Sequence, residues 1–155
     1  TQALMVRATG RQTLRRRNWP KALTQPRPPS RPPMPPETSR QQAAQSLADK
    51  GIENIVVSMG ANGVMWLNQG EWLRAQPPRM NVVSTVGAGD TLVAGLCWGH
   101  MQVMPKNELL RFATALSALA VSQVGVGLTS QEELENIKLQ TQVSELNSNT
   151  NLDNN

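Results

Sequence analysis

Aromatic side chains are nearly missing from this sequence, which holds one Phe, no Tyr and four Trp in 155 residues. The large anchors of most cores are scarce, so the 39% apolar content has to be packed mainly from aliphatic, Ala and Met side chains. One cysteine, Cys97, forms no internal disulfide, and the only histidine, His100, has no second His to complete a transition-metal site. No apolar run approaches the ~18 residues that a membrane-spanning helix needs. A signal-peptide pattern and an initiator Met are also missing: the chain opens Thr1-Gln2-Ala3, as expected of a chain that does not begin where its gene begins. These absences point to one globular domain in a reducing, cytoplasmic setting.

Charge is present but unevenly spread. Nine of the fifteen Lys and Arg lie in residues 1–40, with Glu37 as the only acid there, so the net charge of +4 belongs to the arm and the rest is mildly acidic. The same forty residues hold eight prolines, which interrupt helical and alternating patterns alike, so residues 1–40 are expected to be disordered. Residues 41–139 have the texture of a folded domain, and residues 140–155, polar and Asn-rich, are expected to form a frayed tail.

Within the domain, Gln41 to Gly51 predicts a helix closing on a glycine. Ile55 to Ser58 predicts a core strand, followed by a turn with Gly60 and Gly63. Val64–Leu67 and Glu71–Arg74 then predict a hairpin across Asn68-Gln69-Gly70. A helix from about Ala88 to Met101 follows, with Leu92, Val93, Leu96 and His100 on one face. A well-buried helix from Lys106 to Gln123 comes next, with Leu109, Leu110, Ala113, Leu116 and Ala120 on its apolar side. Ser130 and Glu133 form a capping box for a last helix ending near Leu139. Strands alternating with helices predict a parallel-rich α/β sandwich. Cys97, beside Trp98 in an apolar helix, is read as a small core residue, His100 as exposed, and the seven methionines as filler.

The most informative stretch is Val82 to Leu96, VVSTVGAGDTLVAGL, where Gly87-Ala88-Gly89-Asp90 joins an apolar β-branched run to a helix. A glycine turn at a helix N-terminus offers unpaired N–H groups and the positive end of the macrodipole, so a phosphate can approach with no Cβ in the way. A carboxylate there repels phosphate. It makes chemical sense if it accepts the proton of a hydroxyl attacking that phosphate. The competing reading is that Asp90 caps the helix and the glycines only turn the chain.

Together with VVSMGANGVMW upstream and FATALSALAVSQVGVG downstream, this stretch closely resembles the carboxy-terminal half of the ribokinase-like (PfkB) sugar kinases, and within them the bacterial 1-phosphofructokinase branch. The resemblance runs from about Gln41 to Leu139 and implies the carboxy-terminal portion of a three-layer αβα sandwich. It implies ATP-dependent phosphorylation of a sugar phosphate, with fructose 1-phosphate as the expected substrate, ATP and Mg2+ as cofactors, and a homodimer in the full-length enzyme. Asp90 matches the family's catalytic base, and the amides of Gly87, Ala88 and Gly89 match its anion hole. Ser58, Met59, Gly60, Ala61, Asn62 and Gly63, with Gly89 and Asp90, match positions that lie along ATP. Ala113 to Gly125 matches the wall of the adenine pocket, although the same small residues also suit a tightly packed core helix.

Departures from the family pattern narrow the resemblance. Ser84 stands where many members have Asp, as in the phosphofructokinase branch; Asn62 replaces a more usual Glu; Val124 to Gly127 is less polar than that branch's version. The family's amino-terminal half and its K-P-N-x-x-E segment, which helps organise magnesium, have no counterpart before Gln41. The Arg/Pro-rich residues 1–40 are therefore expected to be an out-of-frame reading of a GC-rich gene. Adjoining DNA carrying an intact kinase frame displaced by one base is the expected result, and no such frame in any register sinks the idea. A rival function assigns Arg7 to Arg40 to nucleic-acid phosphates. With Trp19 as its only aromatic, the arm has little with which to stack bases, so nucleic acid is not the expected partner.

Overall fold

The computed structural model describes residues 34–124 and 130–146. Most of the arm, and Gly125 at the end of the expected adenine wall, lie outside the described residues. The first helix, α1 (Glu37–Ala48), starts ahead of the expected Gln41. Pro36 ends the proline run at its N-cap, and Glu37 places a carboxylate against the positive end of the helix.

The strands β1 (Asn54–Ser58), β2 (Val64–Asn68), β3 (Glu71–Gln76) and β4 (Gln142–Leu146) form a sheet in the order β1-β2-β3-β4. Every pairing in it is antiparallel, which corrects the expectation of a parallel-rich sheet. The connections explain it: a short turn joins β1 to β2, and Gln69-Gly70, both at positive φ, make the two-residue hairpin turn between β2 and β3. Over Gln142–Leu146 the strand β4 corrects the expected frayed tail, whose residues 147–155 lie outside the described residues. Val143 pairs with Ala75 and Leu146 with Trp72, and each adds an apolar side chain to the face its partner occupies.

Period-two alternation divides the core between the faces of the sheet. Val64, Trp66, Leu73 and Ala75 pack against Leu92, Leu109, Leu110 and Ala113. On the opposite face Met65, Leu67 and Trp72, with Ile55 and Met59, pack against Ala44 of α1, and Arg74 reaches Glu37 of that helix at 3.0 Å. Helices α2 (Ala88–Met101), α3 (Lys106–Val121) and α4 (Gln131–Gln140) complete the layer on the first face, giving helix, sheet and helix. Ser130 Oγ accepts from the Glu133 N–H at 3.1 Å, as the capping box requires, and Leu134 and Ile137 seat α4 on Ala115, Ala118 and Leu119.

The helix α2 buries a narrower stripe than its sequence suggests. Leu92, Gly95 and Gly99 are its buried residues; a Cβ on Gly95 would sit 2.9 Å from Ala113 Cα, so α2 and α3 meet almost backbone to backbone. With contact confined to that stripe, Val93 is 58% exposed and His100 and Cys97 are exposed. The expected face therefore loses Val93, His100 is exposed as read from the sequence, and Cys97 is not a core residue.

Candidate functional site

The glycine turn and the cleft beside it are built by the connection from β3 to α2. Pro77-Pro78 holds the chain extended after β3. The carbonyl of Val121, at the end of α3, then accepts from the N–H groups of Val83 (2.8 Å) and Ser84 (3.2 Å), and Ser84 Oγ accepts from the Val86 N–H at 3.2 Å. Val82 to Ser84 form no strand; these bonds to α3 take the place of sheet pairing. Gly87 follows in the left-handed region, φ 81°, a conformation that glycine adopts without a Cβ penalty, and α2 begins at Ala88. The Gly87 carbonyl accepts from both the N–H and the hydroxyl of Thr91 at 2.8 Å, while Ser117 Oγ donates to the Ala88 carbonyl at 2.9 Å. The first turn of α2 is thus fixed from both sides.

What this fixed turn presents is an open helix N-terminus. No side chain caps α2, and among the described residues the N–H groups of Gly89 and Asp90 have no acceptor. A Cβ built on Gly89 meets nothing within 4 Å, so the flank of the turn at Gly89 is open. Asp90 is exposed and its carboxylate has no hydrogen-bond or ion-pair partner among the described residues, so it caps nothing through a hydrogen bond. Amide dipoles and an unengaged carboxylate share one helical turn. That turn can take an anion and place a proton acceptor beside it.

Next to it lies a cleft of about 520 Å³. Gly60, Ala61, Asn62 and Gly63 form one side; Thr114, Ser117, Ala118 and Val121 of α3 form another; Thr85 leads towards the glycine turn. The structure therefore brings the Gly60–Gly63 segment and the small residues of α3 together. Gly87, Ala88, Gly89 and Asp90 do not line the cleft itself; they adjoin it through Thr85 and through the Ser117–Ala88 bond. Ser58 is not among the lining residues, and the Met59 side chain is 1% exposed within the core on the α1 face. Gly63 also differs from the expectation that its bare backbone serves a ligand: a Cβ there would lie 2.0 Å from the Ala75 carbonyl oxygen, so β3 demands this glycine. Gly60, with nothing within 4 Å of its missing Cβ, keeps an open side.

The end of β3 and the connection to α2 also contribute Gln76, Pro77, Pro78, Arg79, Met80 and Val82 to the cleft, which sequence reasoning passed over. The signal was the proline pair, which stiffens backbone just ahead of the glycine turn. A second, broader groove of about 680 Å³ lies over β3 and β4, lined by Arg74, Arg111 and Thr141 among others, and holds none of the expected site residues. Among the described residues no cluster of three His, Cys, Asp or Glu side chains is placed to hold a metal, and no helix is long and apolar enough to cross a membrane.

Comparisons with known proteins meet this geometry from a different direction. A 1-phosphofructokinase of Vibrio cholerae is 71% identical over 109 residues, 70% of this chain and 34% of that protein. A 1-phosphofructokinase of Escherichia coli K12 is 49% identical over 94 residues, 60% of this chain and 30% of that protein. Of solved structures, phosphofructokinase-2 from Escherichia coli, in complex with substrates and products, superposes with a TM-score of 0.61 at 26% identity, covering 68% of this chain and 34% of that one. Ribokinase from Thermotoga maritima superposes with a TM-score of 0.57 at 26% identity, covering 62% and 33%. The chain thus spans about a third of the length of the relatives it matches, and its fold is the corresponding portion of a ribokinase-like αβα sandwich. The model of the pfkB family of carbohydrate kinases matches residues 33–133, well over half of the sequence and the whole of the cleft and turn, and the chain belongs to that family.

Proposed function

We propose that this chain is the nucleotide-binding and proton-accepting part of an ATP-dependent sugar-phosphate kinase, converting fructose 1-phosphate to fructose 1,6-bisphosphate once joined to the sugar-binding part its relatives carry. The observation that carries the reading is the pairing of an uncapped α2 N-terminus and an unpartnered Asp90 with the cleft between Gly60–Gly63 and α3. The relatives named 1-phosphofructokinase support the substrate. In this reading ATP lies in the cleft with its phosphates towards the glycine turn. The amides of Gly87 and Gly89, joined by that of Ala88 once it releases the Thr85 carbonyl it now meets at 3.4 Å, take the charge that builds on the transferring γ-phosphoryl group, which is stabilisation aimed at the transition state. Asp90 accepts the proton of the sugar hydroxyl as its oxygen attacks phosphorus and ADP departs.

The described residues fit a nucleotide better than they fit a bound metal. Asp90 is the only carboxylate on the turn, so Mg2+ would arrive on the ATP phosphates and be shared with them, supplying charge neutralisation. The homodimer and the cytoplasmic setting belong to the full-length enzyme in the same reading. Nearly all of the basic arm lies outside the described residues.

Gly89→Ala tests the anion site. The substitution is made in a restored enzyme, in which residues 34–155 follow the first two thirds of the Vibrio cholerae relative. A methyl group here meets no protein atom, and Ala is the better helix former, so the melting temperature should be unchanged or slightly higher. The same methyl occupies the space meant for a phosphate oxygen, and turnover should fall by about 10²-fold. Unaltered turnover with the extra methyl would remove the glycine turn from the phosphate site.

A further inference from the structure

We infer that Arg79 is a substrate-binding residue whose guanidinium takes a phosphate of the nucleotide bound in the cleft, alongside the amides of the glycine turn. The inference rests on the nucleotide reading of the cleft and adds to it a residue that lies between the stretches carrying the family resemblance. Of the four arginines among the described residues, three are engaged within the fold. Arg40 donates to the Pro35 carbonyl at 2.8 Å, Arg74 pairs with Glu37 at 3.0 Å, and Arg111 pairs with Glu108 and donates to the Thr141 carbonyl. Arg79 has no hydrogen-bond or ion-pair partner among the described residues, and it lines the cleft. It is the only charged side chain there, and no carboxylate lines the cleft to neutralise it.

An exposed arginine is commonly no more than a solvated charge. Two features set this one apart. Its backbone is fixed from both sides: Pro77 and Pro78 precede it, Met80 packs on the buried cluster of Ala115, Ala118 and Leu119, and the N–H groups of Val83 and Ser84 are tied to the Val121 carbonyl. Binding through Arg79 therefore orders one side chain and not a loop. The second feature is the field the charge joins, because the uncapped N-terminus of α2, which adjoins the cleft through Thr85, already favours an anion. Phosphate suits the guanidinium fork, which meets it through two parallel N–H···O bonds. The base and ribose of a nucleotide carry no negative charge, so its phosphates are what this charge meets.

The test uses Arg79→Gln and Arg79→Lys in the restored enzyme, with ATP affinity measured by titration calorimetry at several KCl concentrations and the melting temperature taken without ligand. Arg79→Gln should weaken ATP by about 5- to 30-fold at low salt and flatten the fall of affinity with added KCl, because one fewer charge pair is left to screen. It should melt with the parent, since Arg79 makes no hydrogen bond or ion pair within the described residues. Arg79→Lys, which keeps the charge but not the fork, should keep the parent's salt response and bind ATP more tightly than Arg79→Gln. Unchanged ATP affinity in Arg79→Gln, a loss with the parent's salt response, a lowered melting temperature in Arg79→Gln, or an Arg79→Lys that binds no better than Arg79→Gln overturns the assignment while leaving the cleft a nucleotide site. Failure of the folded parent itself to bind ATP overturns the nucleotide reading and the assignment together.

Discussion

Asp90→Asn in the restored enzyme should lower turnover by about 10²–10⁴-fold while leaving ATP affinity within a few-fold of the parent. The substitution keeps the side chain's shape and removes its capacity to take a proton. The structure narrows what else it can do. Asp90 is exposed, makes no hydrogen bond or ion pair with the described residues, and does not cap α2, so no packing or network is lost. What remains is its favourable position in the first helical turn, worth about 0.3–1 kcal/mol of stability. The two roles therefore separate in one experiment. A proton acceptor loses turnover with a nearly unchanged melting curve, as steady-state kinetics and calorimetry on the same preparation would show. A helix-end charge loses a little stability and keeps its turnover.

How legible the site was in the sequence depended on whether the chemistry is local. The glycine turn and the start of α2 were readable because a β-branched run, Gly87-Ala88-Gly89 and a helical period follow one another directly, and α2 begins at Ala88 as expected. The hairpin was readable from Asn68-Gln69-Gly70, and the last helix from Ser130 and Glu133. The direction of the sheet was not. Alternating strands and helices suggested parallel crossovers, whereas the turns between β1, β2 and β3 are too short for anything but antiparallel pairing. The strand β4 was hidden because Val143 and Leu146 are isolated apolar residues in a polar segment, and only β3 beside them makes their spacing meaningful. Gly63 shows the same limit: its need for a bare Cα comes from Ala75, distant in sequence. Cys97 was misplaced because hydropathy alone does not reveal that α2 touches α3 along a stripe of glycines.

The second large effect concerns the 155-residue chain by itself. The cleft and the turn lie within the described residues, and ATP binding by the chain alone is expected to be weak or absent. Chemistry is not expected, because two reactants must be held in line within near-contact distance, and the chain spans only about a third of its relatives. Its surface is that of a part: β1 stands at one end of the sheet, and Val56, Val82, Val83, Val86 and Val93 are 36–79% exposed. An open strand edge and uncovered apolar side chains favour association over a stable monomer. The measurement that tests the account most directly is fructose-1-phosphate-dependent ADP release by the purified 155-residue chain, run beside the restored enzyme. The account predicts turnover from the restored enzyme and none above background from the chain alone. Kinase turnover from the isolated chain, melting cooperatively as a soluble monomer, would contradict it.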